Sequence, residues 1–200
     1  MLITITGDTV NYNSEFMLSG EAVTSAKYFV NNTNVESEIL SRISKYNKDA
    51  DITNFHVDYK SEKIIITAQG NMNYPIYKNG NRMILFPFLG NSRISTFEKD
   101  TVRESPLLIR NNGIIEDSFI YNVIQGFADD EISFYKKYSF GNIEVSYEIK
   151  KIKGSDTITA TRKVHLPETA ISLKEYEEFF NFVNECKLSD QMKIEIDLKY

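Results

Sequence analysis

The stretch from 157 to 198 constrains the fold most, because it reads as strand, turn, helix and strand in direct succession. In 157–166, TITATRKVHL, the residues Ile158, Ala160, Val164 and Leu166 fall on one face. Thr157, Thr159, Thr161, Lys163 and His165 fall on the other. Period-two alternation with β-branched residues predicts a half-buried strand. Pro167 ends it, since proline cannot donate to the ladder. Ser172-Leu173-Lys174-Glu175 has the form of a capping box: the Ser172 hydroxyl accepts from the Glu175 N–H while the Glu175 side chain reaches back. Leu173, Tyr176, Phe180 and Val183 then recur at helical spacing, with Phe179 and Cys186 beside that stripe. Asp190 closes the loop after the helix. Met192, Ile194, Ile196 and Leu198 alternate with Lys193, Glu195, Asp197 and Lys199 in a last strand. A helix with one apolar stripe and strands with one apolar face bury each other most simply when the helix crosses one face of an antiparallel sheet.

The rest of the chain follows the same logic. Residues 2–6 and 15–18 predict two short strands joined by a polar turn containing Gly7, Asp8, Asn11 and Asn13. Ala22, Ala26, Phe29 and Val30 suggest a short helix. A second capping box at Thr33–Glu36 starts another, through Val35, Ile39, Ile43 and Tyr46. Residues 52–59 and 63–68 read as strands, so the first part is ββααββ. The segment 70–81, rich in Gly, Asn, Pro and Tyr, marks a soft boundary. It divides an N-terminal α+β subdomain (1–80) from a β-rich subdomain (81–200). In the second, 83–88 is an apolar run, 92–101 is ambiguous, and 107–110, 117–123 and 132–138 are strand candidates. Ile143, Val145, Tyr147 and Ile149 alternate with Glu144, Ser146, Glu148 and Lys150, and Gly154-Ser155-Asp156 turns that strand into 157–166 as a hairpin. The predicted class is α+β, a mostly antiparallel sheet or sandwich with a C-terminal helix packed on it.

At 42% hydrophobic residues the chain can bury a core. A net charge of −5 argues against nucleic acid as a partner, which calls for a basic face. The longest apolar runs are far too short to span a bilayer as helices. Residues LITITGD directly after Met1 read as a strand, not as a signal peptide. That fits a cytoplasmic chain or an excised piece with an added methionine.

No stretch carries a catalytic, metal or cofactor motif. Cys186 with His56 or His165 offers a thiol and a base, but a cysteine beside a helix's buried stripe is ordinarily a small hydrophobe. The two histidines lack ligand spacing for a metal. Asp129-Asp130-Glu131 lacks the spaced ligands and turn glycine of a calcium loop. Lys150, Lys151 and Lys153 read as a solubilising hairpin tip. Asn31-Asn32-Thr33 matches a glycosylation sequon, a short and unspecific pattern. Arg162 is the anomaly, since it falls on the apolar face of its strand. It pairs with a carboxylate, Glu175 and Asp190 being the leading candidates, or its stem snorkels to the sheet edge, with a substrate-binding arginine as the reading ranked after both. A candidate contact surface is the segment 74–89, with Tyr74, Tyr77, Phe86 and Phe88, because interface cores favour aromatics. Residues 83–88 also fit a buried strand.

Several short features in a fixed order resemble the region downstream of the catalytic core in bacterial transglutaminase-domain proteins. They are Gly20-x-Ala22, Arg103-x-x-Pro106-Leu107, Phe140-Gly141, Arg162, Tyr176-x-x-Phe179-x-x-Phe182, and Asp190 with the strand after it. Ile124-Gln125-Gly126-Phe127 departs from the proline-glycine turn such proteins often show. The resemblance implies an appendage to a papain-like core: a non-catalytic accessory domain with a structural or protein- or peptide-binding role, in an exported, periplasmic or otherwise extracytoplasmic protein. Its expected partner is that core, in the same polypeptide, or another protein or peptide. The family's triad uses Cys, His and Asp in that order; here the only cysteine follows both histidines. No enzymatic activity and no cofactor are expected. Two alternatives remain open. A free-standing carbohydrate- or peptide-binding module would show an aromatic-lined groove with convergent polar groups. A carboxylate-based hydrolase would show two carboxylates facing each other across a deep cleft.

Overall fold

The computed structural model describes residues 1–6, 9–19, 51–60, 62–73, 77–110, 113–128 and 131–199. In chain order the strands are β1 (Leu2–Thr6), β2 (Thr9–Ser19), β3 (Asp51–Tyr59), β4 (Lys63–Asn71), β5 (Tyr77–Asn79), β6 (Arg82–Leu85), β7 (Leu107–Ile109) and β8 (Gly113–Val123). Then come β9 (Ile132–Phe140), β10 (Ile143–Lys151), β11 (Thr157–Leu166) and β12 (Thr169–Ile171), followed by helix α1 (Tyr176–Asp190) and β13 (Ile194–Asp197).

Eight strands form one sheet in the order β3-β4-β2-β1-β8-β11-β10-β9. Every neighbouring pair is antiparallel except β1 and β8, which run parallel with Ile3 opposite Tyr121. Alternation decides the two faces. β10 buries Ile143, Val145, Tyr147 and Ile149, and β11 buries Ile158, Ala160, Val164 and Leu166. Ile3 and Ile5 of β1, Phe119, Tyr121 and Val123 of β8, and Ile64 and Ile66 of β4 extend the same buried face. Gly141, at φ 53°, occupies the two-residue connection between β9 and β10, where the tight hairpin needs a left-handed residue.

Helix α1 covers the β9–β10 end of that face. Phe179, Phe180, Val183 and Cys186 are buried, the Phe140 ring meets Phe179 edge-on at 5.4 Å, and the Tyr147 hydroxyl donates to the Cys186 carbonyl at 3.0 Å. The segment after β6 lies over the same layer. The Tyr121 hydroxyl donates to the Phe86 carbonyl at 2.9 Å, and the Phe88 ring stands edge-on to Tyr147 at 5.2 Å. A small sheet in the order β13-β6-β5 and the pair β12-β7 complete the covering layer. The fold is therefore α+β: a largely antiparallel sheet with a helix near the C-terminus packed on it. Among the described residues no helix is long and apolar enough to cross a membrane.

Several boundaries differ from the sequence reading. Asn11 and Asn13 lie inside β2, because the Val10, Tyr12, Ser14 alternation carries the strand back to Thr9. β8 begins at Gly113, four residues ahead of the predicted strand at 117. β6 stops at Leu85, before Pro87. Residues 172–175 form a turn rather than a first helical turn, and α1 starts at Tyr176. The predicted helices between residues 20 and 46, and Gly7 and Asp8, lie outside the described residues. Strands from both sides of residue 80 share one sheet, and their buried residues form one cluster.

Candidate functional site

Alternation along β11 leaves Arg162 nowhere to point but inward, between Ala160 and Val164, and it is 1% exposed. Its cross-strand neighbour on β8 is Asp117. The guanidinium Nε and Nη2 both donate to Asp117 Oδ2, at 3.0 and 2.6 Å. Nη1 donates to Asp190 Oδ1 at 2.8 Å and to the Gly90 carbonyl at 3.0 Å. Asp190, the last residue of α1, is fully shared: Oδ1 also accepts from the Tyr147 hydroxyl at 3.1 Å, and Oδ2 from the Ser92 N–H at 2.7 Å. The Phe88 ring lies over the guanidinium at 6.0 Å. One ionic cluster thus ties β8, β10, β11, the C-terminal end of α1 and the loop from 88 to 95.

Its electrostatics follow from burial. Desolvation works against the Arg162 cation, but the Asp190 and Asp117 carboxylates outweigh it and raise its pKa further. Burial, reinforced by the Asp190 charge, pushes the Tyr147 hydroxyl well above its usual range. The same two causes push the Cys186 thiol up to about 12. A buried charge is tolerated only when paired and hydrogen-bonded, and this one is. Chemically the cluster is a clamp. The two carboxylates that face each other do so across a guanidinium, so neither is placed as an acid or a nucleophile.

Asp190 is a partner of Arg162, as the apolar-face anomaly predicts, but Glu175 is not. Glu175 sits at the opposite end of α1, and a 15-residue helix spans ~22 Å. Its carboxylate accepts instead from the Ser172 N–H at 3.2 Å and the Ser172 hydroxyl at 2.6 Å. The serine hydroxyl therefore donates where the capping box has it accept. Asp117 was missed because only the β8–β11 register brings it opposite Arg162. Cys186 and the histidines are not brought together. Cys186 is buried beneath the sheet, His56 is exposed on β3, and His165 alternates onto the outer face of β11.

The candidate contact residues divide. Tyr77 is 56% exposed, Phe86 is half-buried, and Tyr74 lies outside the described residues. Phe88 does not belong to a contact surface, since at 3% exposure it packs on Tyr147. Lys151 is not a hairpin-tip solvent residue either. It continues the β10 alternation inward, is 2% exposed, and lines a cavity with Arg82, Glu195 and Asp197. Among the described residues no group of three or more His, Cys, Asp and Glu side chains is arranged to hold a metal ion.

The sheet's outer face carries a second polar constellation. Tyr135, Lys137, Glu144, Ser146, Lys163 and His165, with Ile114 of β8, line a groove of about 330 Å³ across β9, β10 and β11. Lys137 donates to Glu144 at 2.7 Å, and Lys163 lies 3.4 Å from Glu116 on β8. Hydrogen bonding to Lys137 holds the Glu144 carboxyl below its usual value and raises Lys137 in turn. Set against protein-family models, curated proteins and solved structures, the chain matches none of them.

Proposed function

We propose that this chain is a non-catalytic accessory module. It flanks a transglutaminase-like, papain-fold core and meets that core, or another protein or peptide, through the surface around Tyr77 and Phe86. The observation that carries this reading is the closed Arg162 cluster, whose buried charged and hydroxyl groups are spent on holding helix to sheet. Cys186 supports it as well: a buried thiol with its pKa pushed to about 12 is a poor nucleophile near neutral pH. At the surface, Tyr77 and Phe86 lie 6.1 Å apart with Lys193 over the Phe86 ring, an aromatic and cationic patch of the kind interfaces favour. On this reading the parent protein is bacterial and exported.

The reading frame upstream of Met1 tests it. A Cys-His-Asp core is expected there, and its binding to the separately expressed chain should weaken in Tyr77→Glu. A frame without such a core overturns the reading. So does amide-substrate turnover by the chain itself that disappears in Cys186→Ala.

A further inference from the structure

The outer-face groove has the makings of a ligand site that the accessory-module reading does not use. Tyr135 is 64% exposed on the edge strand β9, so its ring presents an open apolar face at one end of the groove, and Ile114 of β8, 61% exposed, lines the other end. Between these two side chains lie the polar groups. Lys137 is held on Glu144, so a donor sits beside an acceptor, Lys163 pairs with Glu116 of β8 at the groove's border, and Ser146 and His165 add groups that both donate and accept. All of them stand on strands in full register, with Lys137 opposite Ser146 and Ser146 opposite Lys163. A site built on paired strands holds its geometry better than one built on loops.

The charge pattern selects the ligand. Each lysine is already neutralised by a carboxylate, and the chain as a whole is acidic at −5, so an anion finds no uncompensated cation here. A hydroxyl, which gives one hydrogen bond and takes others, fits a side-by-side donor and acceptor. A sugar ring adds an apolar face of C–H groups that stacks on an exposed phenol. The volume, about 330 Å³, lies at the lower end for small-ligand sites and suits one or two sugar rings. We infer that the groove over Tyr135 on the outer face of β9–β11 binds a neutral saccharide.

The test is a titration of the nitrogen-labelled chain, followed by amide NMR, with neutral cellotetraose, maltotetraose and chitotetraose and with anionic tetragalacturonate. At least one neutral probe should shift amides of β9, β10 and β11 selectively. Tyr135→Ala should weaken that binding roughly tenfold, and Glu144→Gln should weaken it too. Tyr59→Ala, an exposed tyrosine on the opposite edge strand β3, should leave it unchanged. Tyr135 and Glu144 are surface groups, so the fold should survive both changes. The inference is overturned if no neutral probe binds with a Kd under about 10 mM, if Tyr135→Ala binds like the parent, or if tetragalacturonate binds most tightly. None of these outcomes depends on an upstream core, so this site and the accessory-module reading stand or fall separately.

Discussion

Arg162 and Asp117 face each other directly across β11 and β8, and two guanidinium nitrogens converge on the single oxygen Oδ2 of Asp117. The third nitrogen turns away to Asp190 at the end of α1. The arginine is therefore a bracket: one arm holds the sheet together and the other fastens the helix to it.

Removing the bracket leaves two carboxylates without their cation, one of them fully buried. Arg162→Met is expected to cost about 3–5 kcal/mol. Asp117→Asn keeps an acceptor in place and leaves Arg162 its Asp190 partner, so its expected cost is smaller, about 1–3 kcal/mol. Urea melts of both variants check the ranking. Equal losses would mean that the Asp117 contact alone accounts for the arginine's contribution, contrary to the deeper burial of Asp190.

Raised acid groups give the fold an alkaline limit. The folded state holds the Cys186 proton up to about 12, whereas the unfolded thiol releases it near 9.0. Native stability from this group is full below the unfolded value and falls as pH climbs between the two values. Tyr147 shifts in the same direction and adds to the fall. Melts at a series of alkaline pH values should show the decline, and Cys186→Ala should make it shallower. In the native protein at about pH 8, Cys186 should resist thiol reagents that label the unfolded chain at once.

A different kind of constraint sits between β3 and β4. A Cβ on Gly70 would lie 1.7 Å from the Asp51 carbonyl oxygen and 2.9 Å from the Tyr12 hydroxyl. The β3 register slips by a residue between Ile52 and Asn54, and the backbones close in at that bulge. Gly70→Ala should destabilise by roughly 1–3 kcal/mol. Gly113→Ala, where a Cβ meets nothing within 4 Å, should cost little. Thermal melts of the two variants separate crowding from a general glycine effect.

What could be read from the sequence was local. The hairpin of β10 and β11 is visible because every second residue is apolar, and α1 because Tyr176, Phe180 and Val183 share a stripe. The anomaly at Arg162 is visible for the same reason, and Asp190 follows from its place where the helix returns to the sheet. Asp117 was not visible, since its role depends on the register between two strands far apart in the chain. The adjacent Ile114 and Ile115 also blur the alternation that would extend β8 to Gly113. The parallel pairing of β1 with β8 leaves no mark in either strand. Tyr135 falls in a predicted strand, but its groove is assembled from β9, β10 and β11 only after they pair.

The central claim is that buried charge in this chain serves to fasten α1 to the sheet. A double-mutant cycle on Arg162→Met and Asp190→Asn, followed by urea unfolding, measures it directly. The expected result is a coupling of about 1–3 kcal/mol, with the double variant less unstable than the sum of the single ones. Additive losses would contradict the claim, because they would mean that the two side chains, 2.8 Å apart, do not act on each other.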